Sequence, residues 1–432
     1  MFGACIGAAG RVRVNVMVLG AGVIGVATAW YLREAGHEVT LVDRQAGPAL
    51  ETSFANGGQL SVTHAEPWAN PGVPRQILRW FGRRDSPLVF RLRADPRQWL
   101  WAARFLLECT PRRSLANARA ILMLALDSAT ALDALRGATG IPFDHLARGI
   151  LSFYTEPGDF ERAAASADQL RPYGCMREVK TAAECVAIEP ALQHASPRLA
   201  GGIFAPQDAS GDARAFTERL AALCAQRGVR LRFGESIEGF EVERDRVVRA
   251  RAASAERGLT RLEADAYVVA MGSYSSQLLR PLGIGVSVYP VKGYSVTLPL
   301  TNGEGAPTVS LTDEARKLVF SRLGERLRVA GTAELTGYDT GIDTARCEQI
   351  LARVFDLFPA AGDRVRAEFW SGLRPATPGN VPLIGRTRYR NLFLNTGHGT
   401  LGWTLACGSA RALAEIVSGR DPGVDFPFLA AT

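Results

Sequence analysis

Residues 14–43 constrain the fold of this chain more than any other stretch. Val14–Leu19 is a short apolar run suited to a strand buried in a parallel sheet. It leads into Gly20-Ala21-Gly22-Val23-Ile24-Gly25, a GxGxxG loop, and then into helical sequence that closes at Gly36. A second strand, His37–Val42, ends at Asp43. Each part has a mechanical reason. Gly20 permits the tight turn, Gly22 lets backbone approach a pyrophosphate, and Gly25 lets helix and strand pack closely. The helix N-terminus stabilises phosphate charge, and Asp43 is placed to accept hydrogen bonds from a ribose 2′-OH. GxGxxG alone is a weak signal, and its bland alternative is a tight turn with no ligand. The whole strand–loop–helix–strand–acid unit predicts dinucleotide binding. Asp43 disfavours NADP, which pairs with a basic residue in this region. Val18, Leu19, Ala21, Val23, Ile24 and Arg44 flank the loop and the acid, and are expected beside the cofactor.

The sequence after Asp43 favours FAD over NAD. A nicotinamide enzyme usually continues the alternation of strands and helices, and here the alternation stops. Glu51-Thr52-Ser53-Phe54-Ala55-Asn56-Gly57-Gly58-Gln59 is polar and Gly-rich. Thr52, Ser53, Asn56, Gly57, Gly58 and Gln59 suit a chain passing beside a long cofactor, against the reading of a plain surface loop. Ala264–Ala270 is an apolar strand that ends in a turn at Gly272. Asn395-Thr396-Gly397-His398-Gly399-Thr400-Leu401-Gly402 joins a strand to the last helix, through Val417. Gly397, Gly399, Thr400, Leu401 and Gly402 therefore form a helix N-terminus suited to negative charge on the N1/O2 edge of a reduced flavin.

Composition excludes several classes. Hydrophobic residues are 47% and charged residues 22%, as in ordinary globular proteins. Seven cysteines, odd in number and without a CxxC pair, predict a reducing compartment, here the cytoplasm. Five histidines without HExxH-type spacing give no support for a metal site. Residues 1–13 read as an extension before the first strand, because their charges follow the small-residue run, the reverse of a signal peptide.

Several segments then resemble a known family. VMVLGAGVIGVATAWYLREAGHEVTLVDR, ETSFANGGQLS, PWANPGVP, ADAYVVAMGSYSS, YPVKGYSVTLP, FWSGLRPATPGNVPLIGRTR and LNTGHGTLGWTLACGSA are similar to the bacterial D-amino-acid dehydrogenase family. These are the FAD-containing small subunits within the D-amino-acid oxidase/glycine oxidase superfamily. The resemblance runs from about Val14 to Gly419. It implies an α/β fold with a Rossmann-like FAD-binding domain and a discontinuous α+β substrate domain built on an antiparallel sheet. The expected division gives 14–60, 196–285 and 370–432 to the FAD-binding domain, and 61–195 and 286–369 to the substrate domain. Short alternating strands at Val286–Leu298, Thr308–Leu311, Lys317–Ser321 and Leu327–Ala330 predict a sheet with one wet face.

The resemblance implies oxidative deamination of a D-amino acid, D-alanine being the usual family substrate, to a 2-oxo acid and ammonia. Electrons then pass to a quinone or another acceptor. The alternative within the superfamily is an oxidase that reduces O2. Such chemistry needs orientation and a carboxylate anchor more than acid–base machinery. A guanidinium fork matches a carboxylate bidentately, and Arg374 in Gly372-Leu373-Arg374-Pro375 occupies the superfamily's anchor motif. Tyr289 and Tyr294 are candidates to touch the carboxylate. Five positions apart, they face opposite sides of a regular strand unless Gly293 marks a bulge, and core packing is the alternative for each. His398, between two glycines, is a candidate for contact with flavin or substrate amine, against a loop role. His64 and Glu66 are candidates for a lid. Asp212 reads as the N-cap of a helix over Ala213–Arg227. No cysteine lies in the GLRP segment, so FAD is expected without a covalent link.

The formal charge is +7, and residues 75–113 alone carry a net +7. Ten arginines there interleave with Trp80, Phe81, Phe90, Trp99, Trp101 and Phe105, and Gln98–Glu108 predicts an amphipathic helix. Basic plus aromatic composition suits peripheral contact with the cytoplasmic face of the inner membrane, against a solvated Arg-rich helix pair. A nucleic-acid partner is not expected, because the dinucleotide unit opposes it. An inactive FAD-binding structural subunit is a third alternative.

Overall fold

The computed structural model describes residues 13–64, 66–80, 88–91, 93–301 and 305–430. Residues 1–12 of the expected extension, and residues 81–87 and 92 of the basic segment, lie outside the described residues.

The opening unit forms as its sequence dictates. Strand β1 (Asn15–Leu19), helix α1 (Val23–Glu34) and strand β2 (Glu38–Asp43) follow in order, and Gly36 ends the helical segment with φ 95°. β1 lies inside a six-stranded sheet between Ala266–Val269 and β2, parallel to both. The Leu392–Thr396 and Leu383–Arg386 strands extend one side, and Arg230–Phe233 extends the other. Alternation along β1 feeds two cores. Val16 and Val18 pack with α1 and with the Ala213–Gln226 and Gly402–Val417 helices. Met17 and Leu19 pack against an antiparallel meander of three strands, Ser236–Glu243, Arg246–Ser254 and Gly258–Leu262. The layers are therefore helices, parallel sheet and meander. Asp212 caps the Ala213–Gln226 helix by accepting from the N–H groups of Arg214 and Ala215.

The second sheet has nine strands. In order it runs Glu368–Ala376, Tyr289–Pro299, Arg326–Leu335, Leu318–Leu323, Ser310–Asp313, Ile150–Tyr154, Gly201–Ala205 and Glu178–Lys180, with Leu88–Phe90 paired beside Arg326–Leu335. Two of these strands include segments expected in the FAD-binding domain. Gly201–Ala205, within 196–285, pairs antiparallel with Ile150–Tyr154, and Glu368–Ala376, which overlaps 370–432, pairs with Tyr289–Pro299. Both join partners far away in sequence, which composition does not encode. The expected wet face is corrected. Tyr289 through Leu298 are all buried. The Thr344–Leu357 helix covers Tyr294, Val296 and Leu298; after helix α2 (Val73–Trp80), helix α3 (Pro96–Glu108) covers Tyr289 and Val291.

Helix α4 (Pro111–Thr139) is long and apolar enough by composition to cross a bilayer. Much of its apolar surface is used internally. Ile121, Leu122, Leu124 and Ala125 belong to the helix-side core, and Gly408 lets the last helix approach the Ser128 backbone, where a Cβ would stand 2.8 Å from Cα.

Candidate active site

One cavity of about 850 Å³ runs between the glycine loop and the face of the nine-stranded sheet. At its parallel-sheet end the three glycines do different jobs. Gly20 has φ 107°, and a Cβ there would lie 2.5 Å from the Ala270 carbonyl oxygen. A Cβ on Gly25 would overlap the Gly20 carbonyl. Gly22 faces open space, with only Ser53 Oγ at 3.4 Å. Ser53 Oγ accepts from the Val23 N–H at 3.0 Å, at the first turn of α1. Asp43 Oδ2 accepts from Ala21 N at 2.6 Å and Oδ1 from Gln45 N at 2.7 Å. Burial pushes the Asp43 carboxyl above its ordinary value, and those two N–H groups oppose the rise. Arg44 pairs with Glu51 and stacks over the Tyr274 ring at 3.9 Å.

The Gly-rich loop lies flat on the second sheet. Thr52 Oγ1 donates to the Leu373 carbonyl at 2.8 Å, Asn56 Oδ1 accepts from Gly58 N, and Gln59 Nε2 donates to Ser310 Oγ at 3.1 Å. Gly57 is obligatory, since a Cβ would meet Val319 at 2.5 Å. Gly272, Gly399, Thr400, Leu401 and Gly402 all line the cavity, so the last helix opens its N-terminus onto it. Four expected cofactor neighbours do not. Val18 and Leu19 are fully buried within β1, Gly25 packs on the turn, and Gly397 packs against Thr377. Their side chains or Cα positions support the wall from behind.

At the other end stands Arg374. Nη1 donates to the Thr332 carbonyl at 2.7 Å and Nη2 to the Gly331 carbonyl at 3.3 Å. Among the described residues no carboxylate is within ion-pair distance of it. Burial pushes its pKa down to about 10, so it stays protonated at neutral pH. His398 is buried, its Nε2 has no partner among the described residues, and burial pushes it down to about 3. It is a neutral imidazole on the cavity wall.

The two tyrosines separate. Tyr294 lines the cavity, but its hydroxyl donates to Glu334 Oε2 at 3.0 Å. Tyr289 is outside the cavity and packs on Trp101, with ring centroids 6.1 Å apart. The structure places it away from the cavity: the chain irregularity next to Gly293 sits on the facing strand, and Tyr289 stays on the α3 side. His64 and Glu66 line the cavity on a loop held from outside. His64 Nε2 lies 3.1 Å from Ser152 Oγ, and Arg177 ties the loop through Glu66, at 2.7 Å, and the Thr63 carbonyl.

Comparison with known proteins gives the frame for this site. The chain matches the FAD dependent oxidoreductase family over residues 15–416. This chain belongs to that family. It is 54% identical to the D-amino acid dehydrogenase of Dechloromonas aromatica (strain RCB) over 415 residues, covering 96% of this chain and 99% of the relative. It is 51% identical to the D-amino acid dehydrogenase of Paramagnetospirillum magneticum (strain ATCC 700264 / AMB-1), covering 95% and 96%. Among solved structures it is similar in fold to glycine oxidase from Geobacillus kaustophilus, with TM-score 0.72, 23% identity and 96% of each chain covered.

As an FAD-dependent oxidoreductase the chain needs a site that fits FAD, and the residues present fit. Gly22 leaves free the space that any Cβ would fill, directly before the α1 N-terminus. Asn395 adds a second observation. The Thr28 hydroxyl donates to the Ile24 carbonyl, so it must accept from Asn395 Nδ2 at 3.0 Å. This fixes the amide and leaves Asn395 Oδ1 buried without a partner, on a residue of the cavity wall. Sequence reasoning missed Asn395, Trp68, Gly331 and Thr332, which also line the cavity. Trp68 sits in the PWANPGVP segment, and the Trp68 N–H donates to Asn380 Oδ1 at 2.9 Å. Thr332 carried no signal, since neither glycine nor asparagine marks its left-handed backbone, φ 55°.

Proposed function

We propose that this FAD-dependent oxidoreductase deaminates D-amino acids to 2-oxo acids and ammonia and passes the electrons to a quinone or another membrane acceptor. The observation that carries the reading is Arg374: a guanidinium in the cavity wall, held by two neutral carbonyls, with no carboxylate partner among the described residues. Such a cation suits a ligand carboxylate. Near-full-length identity to relatives named D-amino acid dehydrogenase supports the substrate class.

FAD, when bound, supplies the two-electron acceptor. The α1 N-terminus with Gly20–Gly22 would hold its pyrophosphate, Asp43 its ribose, and the Thr400–Gly402 helix start the polar edge of its ring. Arg374 fixes the substrate carboxylate. His398, uncharged, offers Nε2 without adding a second cation beside Arg374. Water hydrolyses the imine product to 2-oxo acid and ammonia. We divide the chain into a cofactor unit built on the six-stranded sheet and a substrate unit built on the nine-stranded sheet.

Attachment to the cytoplasmic face of the inner membrane is part of the proposal. α3 turns Trp101 and Phe105 inward, while Trp99, Leu100, Leu106 and Leu107 are exposed, Leu107 at 60%. Arg97, Arg104, Arg112 and Arg113 are exposed around them. Apolar side chains ringed by arginine suit an anionic lipid surface.

The direct test of the activity is the absorption spectrum of purified protein before and after anaerobic D-alanine. A flavin spectrum that bleaches with D-alanine and not with L-alanine is the expected result. Bleaching by the L-isomer alone overturns the substrate class, and colourless protein that FAD does not restore overturns the cofactor.

A further inference from the structure

Arg374 reaches the cavity by crossing its neighbour strand. It leaves Glu368–Ala376 opposite Val291, and its head lies over Gly293. A Cβ at 293 would stand within 2.5 Å of Nη1 and closer still to the rest of the fork. Beyond Gly293 the fork meets Arg326–Leu335 at an irregularity. Lys292 pairs with Glu334 and Tyr294 with Gly331, so three steps on one strand face two on the other. The extra residue is absorbed where Thr332 adopts φ 55°, a backbone that β-branched residues seldom take. This bulge turns the carbonyls of Gly331 and Thr332 toward the guanidinium. Strain of this kind persists only where the surroundings over-determine it, and it gathers at sites of function.

The choice of acceptor matters. A carboxylate would fix the fork and also cancel its charge. Two carbonyls fix two nitrogens and leave the charge intact. We infer that Gly293 and the Thr332 bulge are positioning elements, which hold the Arg374 fork rigid and un-neutralised in the cavity wall for a ligand carboxylate. This rests on the reading of Arg374 as the carboxylate anchor. Thr332 acts through its carbonyl, and Gly293 through the side chain it lacks.

The test uses yellow holoenzyme and propionate as a competitive inhibitor against D-alanine. Gly293→Ala is expected to raise Ki for propionate and KM for D-alanine by about tenfold or more, with FAD content unchanged and kcat within about threefold. An unchanged Ki in Gly293→Ala, while Arg374→Leu abolishes propionate binding, overturns the positioning role and leaves the anchor standing. An unchanged Ki in Arg374→Leu overturns both. If Gly293→Ala fails to fold, Gly293→Ala/Arg374→Lys decides, because lysine lacks the planar head that the methyl would strike. Recovery of folded yellow protein supports the clash at the guanidinium, and failure to recover overturns it.

Discussion

The Tyr294 hydroxyl donates to Glu334 Oε2 at 3.0 Å, inside a buried group of charges. Glu334 is fully buried and also faces Lys292 at 3.7 Å and Arg346. Burial, with the Glu334 charge adding to it, pushes the phenol well above its ordinary value, so it remains a donor at any working pH. Its proton is committed to protein. Tyr294→Phe is therefore expected to lower unfolding stability by about 1.5–3 kcal/mol, the usual range for a hydrogen bond to a charged group. KM for D-alanine should stay within about threefold. Denaturant unfolding and steady-state kinetics on one preparation check this, and a large rise in KM at unchanged stability would show that the phenol serves the ligand.

Arg374→Leu is expected to keep FAD and lose kcat/KM. Truncating one partner of a buried charge pair costs about 2–5 kcal/mol, a loss of roughly 30-fold or more. Flavin content by absorbance and initial rates measure the two effects separately. A variant as active as the parent returns Arg374 to a structural role.

The three loop glycines should fail differently. Gly22 has φ −71° and ψ 177°, allowed for any residue, and its missing Cβ faces open space. Gly22→Val should give folded, colourless apoprotein, because the branched side chain fills the space before α1. Gly25→Val, whose Cβ overlaps the Gly20 carbonyl, should not fold. Circular dichroism with the visible spectrum separates them, and a yellow Gly22→Val protein would contradict the cradle.

Folded-state protonation of His398 near pH 3 has a consequence for stability. The unfolded chain takes up this proton near 6.5, so between those values the unfolded state binds more protons. Stability is then fully present above pH 6.5 and falls as pH drops toward 3, by at most about 1.4 kcal/mol per pH unit. His398→Asn should flatten the decline in Tm between pH 7 and pH 5. Equal slopes for parent and variant would mean that His398 takes up its proton as readily in the fold as in the unfolded chain.

Washed membranes should sediment the protein at low salt and release it at high salt, since exposed arginines on α3 and the start of α4 face anionic lipid through screened charge. Leu106→Ser/Leu107→Ser should weaken sedimentation at low salt without changing the rate with a soluble dye acceptor. A parent protein equally soluble at both salt concentrations ends the membrane reading.

What the sequence made legible was local. The β1–α1–β2 unit, the Asp212 cap and the Gly-rich helix start at 399–402 are each written in fewer than about thirty consecutive residues, where periodicity, turn chemistry and capping act. Most of the residues assigned to the glycine and Gly-rich loops do line the cavity. What it hid was pairing at long range. Nothing within Gly201–Ala205 says that its partner is Ile150–Tyr154, and nothing within Tyr289–Pro299 says that the Thr344–Leu357 helix will cover one face. The alternation there was real, but polar positions such as Lys292, Ser295 and Thr297 are buried rather than wet. Thr332 was illegible for a different reason: tertiary pairing, not residue type, forces its backbone.

The six-stranded sheet also sets an order of events in time. β1 is flanked by Ala266–Val269, and that strand by Leu392–Thr396. The cavity wall joins Gly20–Gly22 to His398–Gly402. The first of these leaves the ribosome long before the second. A nascent chain thus carries its glycine loop through most of its synthesis with one wall of the pocket still unmade. Cofactor capture is therefore expected only once the last strand and helix are made, and a stalled or nicked product that lacks them should be colourless however well its N-terminal unit folds.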